Sequence, residues 1–308
     1  MNTLKFISNK KMTTECHNPD DEFIKEIKMG EELKTFLCPV NFTIVVDSRC
    51  NSKCDFCIFH DSEKIIRVCD ETYLRNLEHI FYELRNLPIE VTITGGEPTL
   101  FPERLVRILN LTKKYGLKHR TFSTNGIGLL NLYHGKLILQ YMKECGAVRN
   151  INLSRMAIDQ KENDSIFHSN TLTLDEIKTI AQFCHINDMD VRLSCNLMKS
   201  YIHTPEQILD YIRMAEEVNI ENIIFRELVD YEKEFVSLNV IEDELNKQFI
   251  INKTHITDKY KITEFSFNHY HVKEYESNKI MKKTGIPTLV YQEGKLFLGW
   301  NMNKEIKI

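Results

Sequence analysis

The feature that most constrains the fold of this chain is a regular alternation of strand and helix patterns between residues 42 and 227. Short apolar stretches rich in β-branched residues predict six strands, at residues 42–47, 90–94, 118–123, 148–154, 191–198 and 223–227. Amphipathic segments separate these strands, and two of the segments begin with capping boxes, at 173–176 and 204–207. Strand–helix units in series predict a parallel sheet with right-handed crossovers. Six units are fewer than the eight of a closed barrel, so we expect an α/β fold, a partial (β/α)6 barrel.

The regions on either side lack this alternation and predict three parts. Residues 1–40 form an N-terminal extension, in which the charged segment 21–34 is expected to be a helix. Residues 41–230 form the barrel core. Residues 231–308 are expected to form a small C-terminal α/β cap, with a strand pattern at 260–271 and a hairpin pattern at 289–298.

Composition limits the functional classes. The 308 residues include 40 basic and 44 acidic side chains, so the net charge is −4 and no overall basic field is available to hold nucleic acid. No apolar run approaches the length of a membrane span, and the first residues do not read as a secretory signal. We therefore expect a cytoplasmic protein with reduced thiols and with neither a membrane nor a nucleic acid as partner.

Polar side chains alternate with apolar ones along the later strands. One face of the fourth to sixth strands carries Asn152, Ser154, Arg192, Ser194, Asn196, Asn222 and Arg226. A packed barrel interior would carry Val, Ile and Leu at these positions. The polar face therefore predicts a ligand cavity inside the curved sheet, and the alternative is a solvent-exposed sheet face.

Cysteine spacing supplies the strongest chemical signal. Three of the nine cysteines, Cys50, Cys54 and Cys57, form a C-x3-C-x2-C loop directly after the first predicted strand. Three thiolates on one loop can hold an iron–sulfur cluster that keeps one iron open for a further ligand. His60 lies three residues after Cys57, so a Cys3His zinc site competes on spacing alone.

A second motif ends the second predicted strand. Residues 94–98 read Thr-Gly-Gly-Glu-Pro, and the glycine pair is expected to let a ligand approach the backbone and to leave N–H groups free to bind it. With the cysteine loop, this motif resembles the radical S-adenosylmethionine superfamily over residues 42–227. The residues Thr124-Asn125-Gly126 after the third strand are similar to a third element of that superfamily. The resemblance is closest to the branch of the molybdopterin GTP cyclase and the peptide-modifying enzymes.

The resemblance implies two cofactors and their residues. Cys50, Cys54 and Cys57 would ligate a [4Fe–4S] cluster whose open iron binds S-adenosylmethionine. The implied contacts to that cofactor are Phe56, Gly95, Gly96, Glu97, Thr124, Ser154 and Asn196. The implied reaction is reductive cleavage of S-adenosylmethionine, followed by hydrogen abstraction from a substrate by the 5′-deoxyadenosyl radical. A reductase such as flavodoxin or ferredoxin would supply the electron.

The sequence differs from the other members of this branch in ways that limit the possible substrates. No cysteine follows Cys195, so we expect no auxiliary cluster in the C-terminal region, and Thr92 replaces a substrate-binding arginine of the GTP cyclase. Arg192 and Arg226 on the polar face favour a small substrate with a phosphate or carboxylate, because a buried guanidinium needs an anionic partner. Two alternatives remain: a radical enzyme that modifies a peptide or protein, and a zinc-binding protein without catalysis.

Overall fold

A computed structural model describes residues 23–29, 32–59, 66–228, 231–238, 250–256, 260–267, 270–277, 288–300 and 305–306. The strands of this part of the chain are β1 (Phe23–Met29), β2 (Glu32–Cys38), β3 (Val40–Val45), β4 (Ile89–Thr94), β5 (Lys118–Thr124), β6 (Leu132–Tyr133), β7 (Lys136–Leu137), β8 (Asn150–Ser154), β9 (Asp190–Asn196), β10 (Asn222–Arg226), β11 (Ile250–Ile256), β12 (Tyr260–Phe267), β13 (Tyr270–Ser277), β14 (Leu289–Gln292), β15 (Lys295–Leu298) and β16 (Glu305–Ile306). The helices are α1 (Asp70–Glu83), α2 (Pro102–Lys114), α3 (Ile138–Cys145), α4 (Gln160–Phe167), α5 (Leu174–Ile186) and α6 (Pro205–Glu217).

One 12-stranded sheet organises the molecule, in the order β11-β12-β13-β10-β9-β8-β5-β4-β3-β14-β15-β16. The eight strands from β13 to β14 in this order run parallel to one another. The six predicted strands are therefore confirmed as the centre of a large parallel sheet, with helices in their connections as predicted. Both capping boxes are present, at Thr173 before α5 and at Thr204 before α6.

The two faces of the sheet differ as the alternation predicts. The apolar side chains of β8, β9 and β10 join the helices in the main hydrophobic core, which includes Ile151, Leu153, Val191, Leu193, Cys195, Ile223 and Phe225. The polar side chains of the same strands face the other way. We call that surface the concave face, and it is where ligand binding was predicted.

Residues from the predicted C-terminal region continue the same sheet at both edges. β13 pairs in parallel with β10, and β14 pairs in parallel with β3 before turning into the antiparallel β15. The predicted hairpin at 289–298 is confirmed by β14 and β15. The predicted strand at 260–271 corresponds to β12 and the start of β13. The boundaries at 40 and 230 remain predictions.

The predicted helix at 21–34 is wrong. β1 and β2 form an antiparallel hairpin there, with seven paired positions from Phe23–Cys38 to Met29–Glu32. Gly30 lies between the two strands, and a glycine inside a helix would cost about 1 kcal/mol relative to alanine. Two short segments on either side of it can pair with each other instead.

Helix α4 was not predicted. Asp159 is its N-cap, and its carboxylate accepts hydrogen bonds from the backbone N–H groups of Lys161 and Glu162. Asp159 followed three residues later by Glu162 is a helix-start pattern that could have identified it. None of the helices in the described residues is long and apolar enough to span a membrane.

Candidate active site at the carboxyl edge of the sheet

The cysteine loop, defined here as residues 48–59, begins where β3 ends and is fixed there by Asp47. The Asp47 carboxylate is fully buried and accepts hydrogen bonds from the Arg49 backbone N–H at 2.9 Å, and from Arg49 Nε and Nη2 at 2.9 and 2.8 Å. Burial raises the pKa of Asp47, but the hydrogen bonds and charge of Arg49 outweigh that effect and hold the pKa below its ordinary value. Asp47 is therefore ionised at neutral pH and anchors the first turn of the loop.

The three loop thiols lie close enough to influence one another. Burial, followed by the nearby thiols of Cys57 and Cys50, raises the pKa of the Cys54 thiol to about 12. Backbone N–H groups point at the other two sulfurs: Ser52 N lies 3.3 Å from Cys50 Sγ, and Phe59 N lies 3.4 Å from Cys57 Sγ. A positive metal centre would convert such thiols to thiolates, and the N–H groups would stabilise the charge on sulfur.

The glycine pair of the second motif packs against the backbone at the start of the cysteine loop. A Cβ atom on Gly95 would lie 2.4 Å from Asp47 O, and one on Gly96 would lie 2.1 Å from Arg49 O. The Gly96 and Glu97 N–H groups donate to Asp47 O and Arg49 O at 2.8 and 2.9 Å, so they are not free for a ligand. The glycines are required because the cysteine loop itself packs directly on this backbone.

Glu97 is buried at this point and ties β4 to the end of β5. Its Oε1 accepts hydrogen bonds from Thr99 N at 3.0 Å, Thr99 Oγ1 at 2.6 Å and Thr124 Oγ1 at 2.6 Å, and its Oε2 accepts from Asn125 N at 2.7 Å. Burial raises the pKa of Glu97 above its ordinary value, while these hydrogen bonds oppose the shift. The Thr124 hydroxyl also accepts from Gly126 N at 2.8 Å. The side chains of Glu97 and Thr124 are thus occupied with each other and with the backbone.

Asn125 continues this network to the cysteine loop, and the sequence reasoning assigned it no role. Its Nδ2 lies 2.9 Å from Asn51 Oδ1, 3.4 Å from Ser52 Oγ and 3.8 Å from Cys50 Sγ. Its place in the Thr-Asn-Gly motif was the sequence feature that could have identified it as a site residue. The pairing with the loop could not be read from sequence, because 75 residues separate Asn125 from Cys50.

The far end of the cysteine loop rests on α4 and on a small apolar cluster. Lys53 N donates to Phe167 O at 2.9 Å, and the hydroxyls of Ser52 and Ser169 share a hydrogen bond of 2.8 Å. Cys54 is buried in the cluster with Met156, Ala157, Ile166, Phe167, Met198 and Leu228, while Phe56, Cys57, Tyr201 and Tyr231 pack against it. The loop therefore lies across the carboxyl edge from β3 to β10.

Polar side chains on the concave face form hydrogen bonds across neighbouring strands. Arg192 Nε donates to Asn152 Oδ1 at 2.9 Å, and Arg192 Nη2 donates to Thr121 Oγ1 at 3.0 Å. Arg226 Nη1 donates to Ser194 Oγ at 2.5 Å. On the neighbouring strands, Thr92 Oγ1 donates to Asn41 Oδ1 at 2.9 Å. The concave face is thus a polar surface rather than an apolar barrel core.

The two arginines lie at different depths of this face. Arg192 is opposite Asn222, whereas Arg226 is opposite Asn196 at the carboxyl edge. Four residues of a parallel strand span about 13 Å. The backbone positions of the two arginines are therefore separated by about this distance. Ser154 and Asn196 lie at the same edge as Arg226, at the ends of β8 and β9.

Arg155 directly follows Ser154 in the chain but does not line the cavity. It is 1% exposed, and its guanidinium donates to the backbone carbonyls of Ile158 at 2.8 Å and Leu172 at 3.1 Å. Tyr211 Oη donates to the Arg155 carbonyl at 2.9 Å. Arg155 thus supports the connection after β8 rather than a ligand.

Three thiols on one loop, with backbone N–H groups directed at two of the sulfurs, fit the donor set of an iron–sulfur cluster. Within the described residues, no three His, Cys, Asp or Glu side chains converge on a position suited to a single metal ion. A [4Fe–4S] cluster binds each cysteine through a different iron, so its ligands need not converge on one point. His60, the fourth ligand of the zinc alternative, lies outside the described residues.

A family comparison agrees with this geometry. Residues 44–224 match the family model described as the Radical SAM superfamily. This match covers more than half of the chain, and the chain belongs to that superfamily. The cofactors of this superfamily are a [4Fe–4S] cluster and S-adenosylmethionine, and membership favours them over the zinc alternative.

Individual relatives match the same region. YydG of Bacillus subtilis, provisionally named a peptide biosynthesis protein, is 26% identical over 173 residues, which cover 55% of this chain and 50% of YydG. A GTP 3′,8-cyclase of Staphylococcus carnosus is 27% identical over 214 residues, which cover 67% of this chain and 58% of the cyclase. The chain thus spans between half and three-fifths of the length of these two relatives.

A solved structure shares the fold. SuiB of Streptococcus suis, solved with S-adenosylmethionine, has a TM-score of 0.52 at 19% identity, covering 69% of this chain and 48% of SuiB. SuiB has also been solved with its precursor peptide SuiA, with a TM-score of 0.53, 18% identity and coverage of 69% of this chain and 46% of SuiB. This likeness confirms the predicted fold class.

Proposed function

We propose that Cys50, Cys54 and Cys57 bind the cluster of this enzyme, and that a substrate on the concave face donates a hydrogen atom to a radical generated beside it. When bound, the cluster and S-adenosylmethionine together supply a carbon-centred radical that can abstract hydrogen from an unactivated C–H bond. The observation that carries the proposal is the cysteine loop itself, which holds three thiols at the carboxyl edge above a polar concave face. Active sites of parallel α/β sheets lie at this edge.

Residues around the loop would exclude water from the cluster. Cys54 is only 9% exposed and lies among apolar side chains that come from the segments after β8, β9 and β10. Phe56 packs against the same cluster. Excluding water protects a radical from side reactions, and it also strengthens the electrostatic effect of nearby N–H groups on the bound cluster.

The residues at the carboxyl edge that were predicted to contact S-adenosylmethionine would have three different roles. We infer that Ser154 and Asn196 contact it directly, since both lie at the carboxyl edge of the concave face and both are partly exposed. Glu97 and Thr124 would support the cofactor site indirectly, by holding the backbone around it. Their polar atoms are already hydrogen-bonded to each other and to Thr99 and Asn125. Gly95 and Gly96 would hold the backbone of the same segment against the cysteine loop.

A peptide is the substrate class with the most support. In the described residues, the 12-stranded sheet has two free edges, at β11 and at β16. The concave face is therefore open at its sides, and an extended chain can pass over it. SuiB binds a precursor peptide, and YydG is provisionally named for peptide biosynthesis. Both comparisons concern enzymes longer than the region shared with this chain.

A small anionic substrate is the second candidate, and Arg192 and Arg226 favour it. Both guanidinium groups lie on the concave face, and their side-chain hydrogen bonds to Asn152, Thr121 and Ser194 hold them there. Guanidinium groups bind phosphate and carboxylate in fixed geometry. The backbone positions of the two arginines are about 13 Å apart along the strands, and the Arg226 side chain reaches back toward Arg192 as far as Ser194.

The cofactor part of the proposal is tested with anaerobically purified and reconstituted protein. We expect one [4Fe–4S] cluster per chain by iron and sulfide analysis. With dithionite, or with a reductase such as flavodoxin or ferredoxin as the proposed physiological donor, the protein should convert S-adenosylmethionine to 5′-deoxyadenosine and methionine. Zinc as the stoichiometric metal, or a second cluster after full reconstitution, would contradict the proposal.

The substrate class is tested by deuterium transfer. Extract from cells of the source organism grown in D2O is separated into a peptide fraction and a small-molecule fraction, and each is incubated with reduced enzyme and unlabelled S-adenosylmethionine. The fraction that contains the substrate should transfer deuterium into 5′-deoxyadenosine, as measured by mass spectrometry. Loss of the transfer after protease treatment identifies a peptide. Transfer from an anionic small-molecule fraction that is lost in Arg226→Met identifies the second candidate.

A further inference from the structure

The side chain of Asn125 reaches a sulfur atom of the proposed cluster site. Its Nδ2 lies 3.8 Å from Cys50 Sγ, and the same nitrogen lies 2.9 Å from Asn51 Oδ1. A primary amide carries two N–H bonds. One can therefore remain on Asn51 while the other points toward Cys50 or Ser52.

The orientation of this amide is fixed by its other contacts. Asn125 Oδ1 accepts a hydrogen bond from Ile127 N at 3.1 Å, so the oxygen cannot exchange places with Nδ2 without losing that bond. The Asn125 backbone N–H donates to Glu97 Oε2 at 2.7 Å. Glu97 is fully buried and also accepts from Thr99 and Thr124, which keeps this anchor in place.

An N–H group aimed at a ligating sulfur affects the redox behaviour of a cluster. Reduction adds negative charge, part of which resides on the cysteine sulfurs. A hydrogen-bond donor stabilises this charge more in the reduced state than in the oxidised state. Hydrogen bonds to sulfur are among the factors that set the reduction potentials of iron–sulfur clusters. The effect is strengthened where nearby groups exclude water.

We propose that Asn125 is a positioning residue that raises the reduction potential of the cluster by donating a hydrogen bond to Cys50 Sγ, an inference that rests on the proposed cluster site. The donor comes from the end of β5, whereas the cluster ligands come from the loop after β3. The potential is therefore coupled to the packing of β5 against β4 through Glu97. Asn125 acts on the cysteine ligand and not on the substrate.

The test is an EPR-monitored redox titration of the reconstituted cluster in the full chain. Asn125→Leu removes the donor at similar volume. At the potential where half of the wild-type cluster is reduced, we expect the ratio of reduced to oxidised cluster in Asn125→Leu to fall by roughly tenfold, which for a one-electron couple is about 59 mV. Asn125→Asp retains an acceptor for Ile127 N–H but places negative charge near sulfur, so its potential should fall further.

Ser169→Ala is the matched control. It removes the hydrogen bond between Ser52 and Ser169, which fixes the same loop from the side of α4, but it leaves the Ser52 N–H donor to Cys50 Sγ in place. If Asn125 only stiffens the loop, Ser169→Ala should shift the potential in the same way. We expect the Ser169→Ala potential to match that of the wild type.

The outcomes separate this inference from the proposed function. If the wild-type protein binds no cluster, the proposed function fails. If the wild type binds a cluster and both Asn125 variants have an unchanged or higher potential, only the role of Asn125 is overturned. If both variants lose the cluster while Ser169→Ala retains it, Asn125 is needed to build the loop and the potential-setting role is likewise overturned.

Discussion

The carboxyl edge around the cysteine loop and the concave face between β8 and β10 use polar residues in opposite ways. At the edge, Asp47, Glu97 and Thr124 are buried, and their hydrogen bonds join one backbone segment to another. On the concave face, Arg192 and Arg226 remain partly exposed while they contact neighbouring strands. The edge holds a loop in one position, whereas the proposed role of the face is to present polar groups to a ligand.

This difference predicts which substitutions remove iron and which do not. Substitutions at the edge should act on the cluster because they move its ligands or the backbone beneath them. Substitutions on the concave face should leave iron content unchanged and affect stability or substrate turnover instead.

The largest effect is expected from Cys54→Ala. This change removes a proposed ligand at the centre of the loop, so iron and sulfide should fall to background and the visible absorption of the cluster should disappear. Cys145→Ala is the control, because Cys145 is the last residue of α3 and its Sγ donates to Leu109 O of α2 at 3.2 Å. A full cluster in Cys54→Ala would rule out the ligand assignment.

A smaller but still large loss of iron is expected from Gly96→Ala. The added Cβ would lie 2.1 Å from Arg49 O and 2.5 Å from Ser48 O, and both are backbone atoms of the loop. The loop must therefore shift away from β4. Most of the iron should be lost, as measured by metal analysis after reconstitution.

Gly146→Ala is the matched control for this glycine. Gly146 ends α3 with φ of 70°, and a Cβ there would meet no atom within 4 Å. The Gly146→Ala substitution should lower the free energy of unfolding by about 1–2 kcal/mol through backbone strain, and the iron content should be unchanged. Equal iron loss in the two variants would show that Gly96 has no particular relation to the loop.

On the concave face, Arg192→Met should retain a full cluster. Asn152 is 3% exposed, and its Oδ1 would lose the donor Arg192 Nε. Leaving a buried acceptor without a partner costs roughly 1–3 kcal/mol, which chemical denaturation can measure. If the folded Arg192→Met protein loses iron, the proposed difference between the carboxyl edge and the concave face is wrong.

The smallest effect is expected at the N-caps of α4 and α5. Asp159→Ala and Thr173→Ala each remove a capping side chain, and each should cost about 1 kcal/mol of unfolding free energy. The end of α4 contacts the cysteine loop through Phe167 O and Ser169, whereas no such contact is described for α5. Iron release to a chelator should therefore be faster in Asp159→Ala only. Equal release rates would show that α4 does not support the loop.

Much of this protein follows from local sequence patterns. The strand–helix alternation predicted the parallel sheet, the capping boxes predicted the starts of α5 and α6, and the two-residue period separated Val191, Leu193 and Cys195 from Arg192. The spacing of Cys50, Cys54 and Cys57 identified the loop. These features depend on neighbours in sequence, so the sequence alone determined them.

The tertiary structure decided what depends on contacts between distant segments. Gly95 and Gly96 proved to face the backbone of the cysteine loop, and Asn125 proved to reach Cys50 across 75 residues of chain. Arg155 turns to backbone carbonyls rather than toward the cavity. The pairing of β13 with β10 and of β14 with β3 likewise became evident only in the fold. A residue type and its spacing define what a side chain can bind, whereas packing determines which of the available partners it meets.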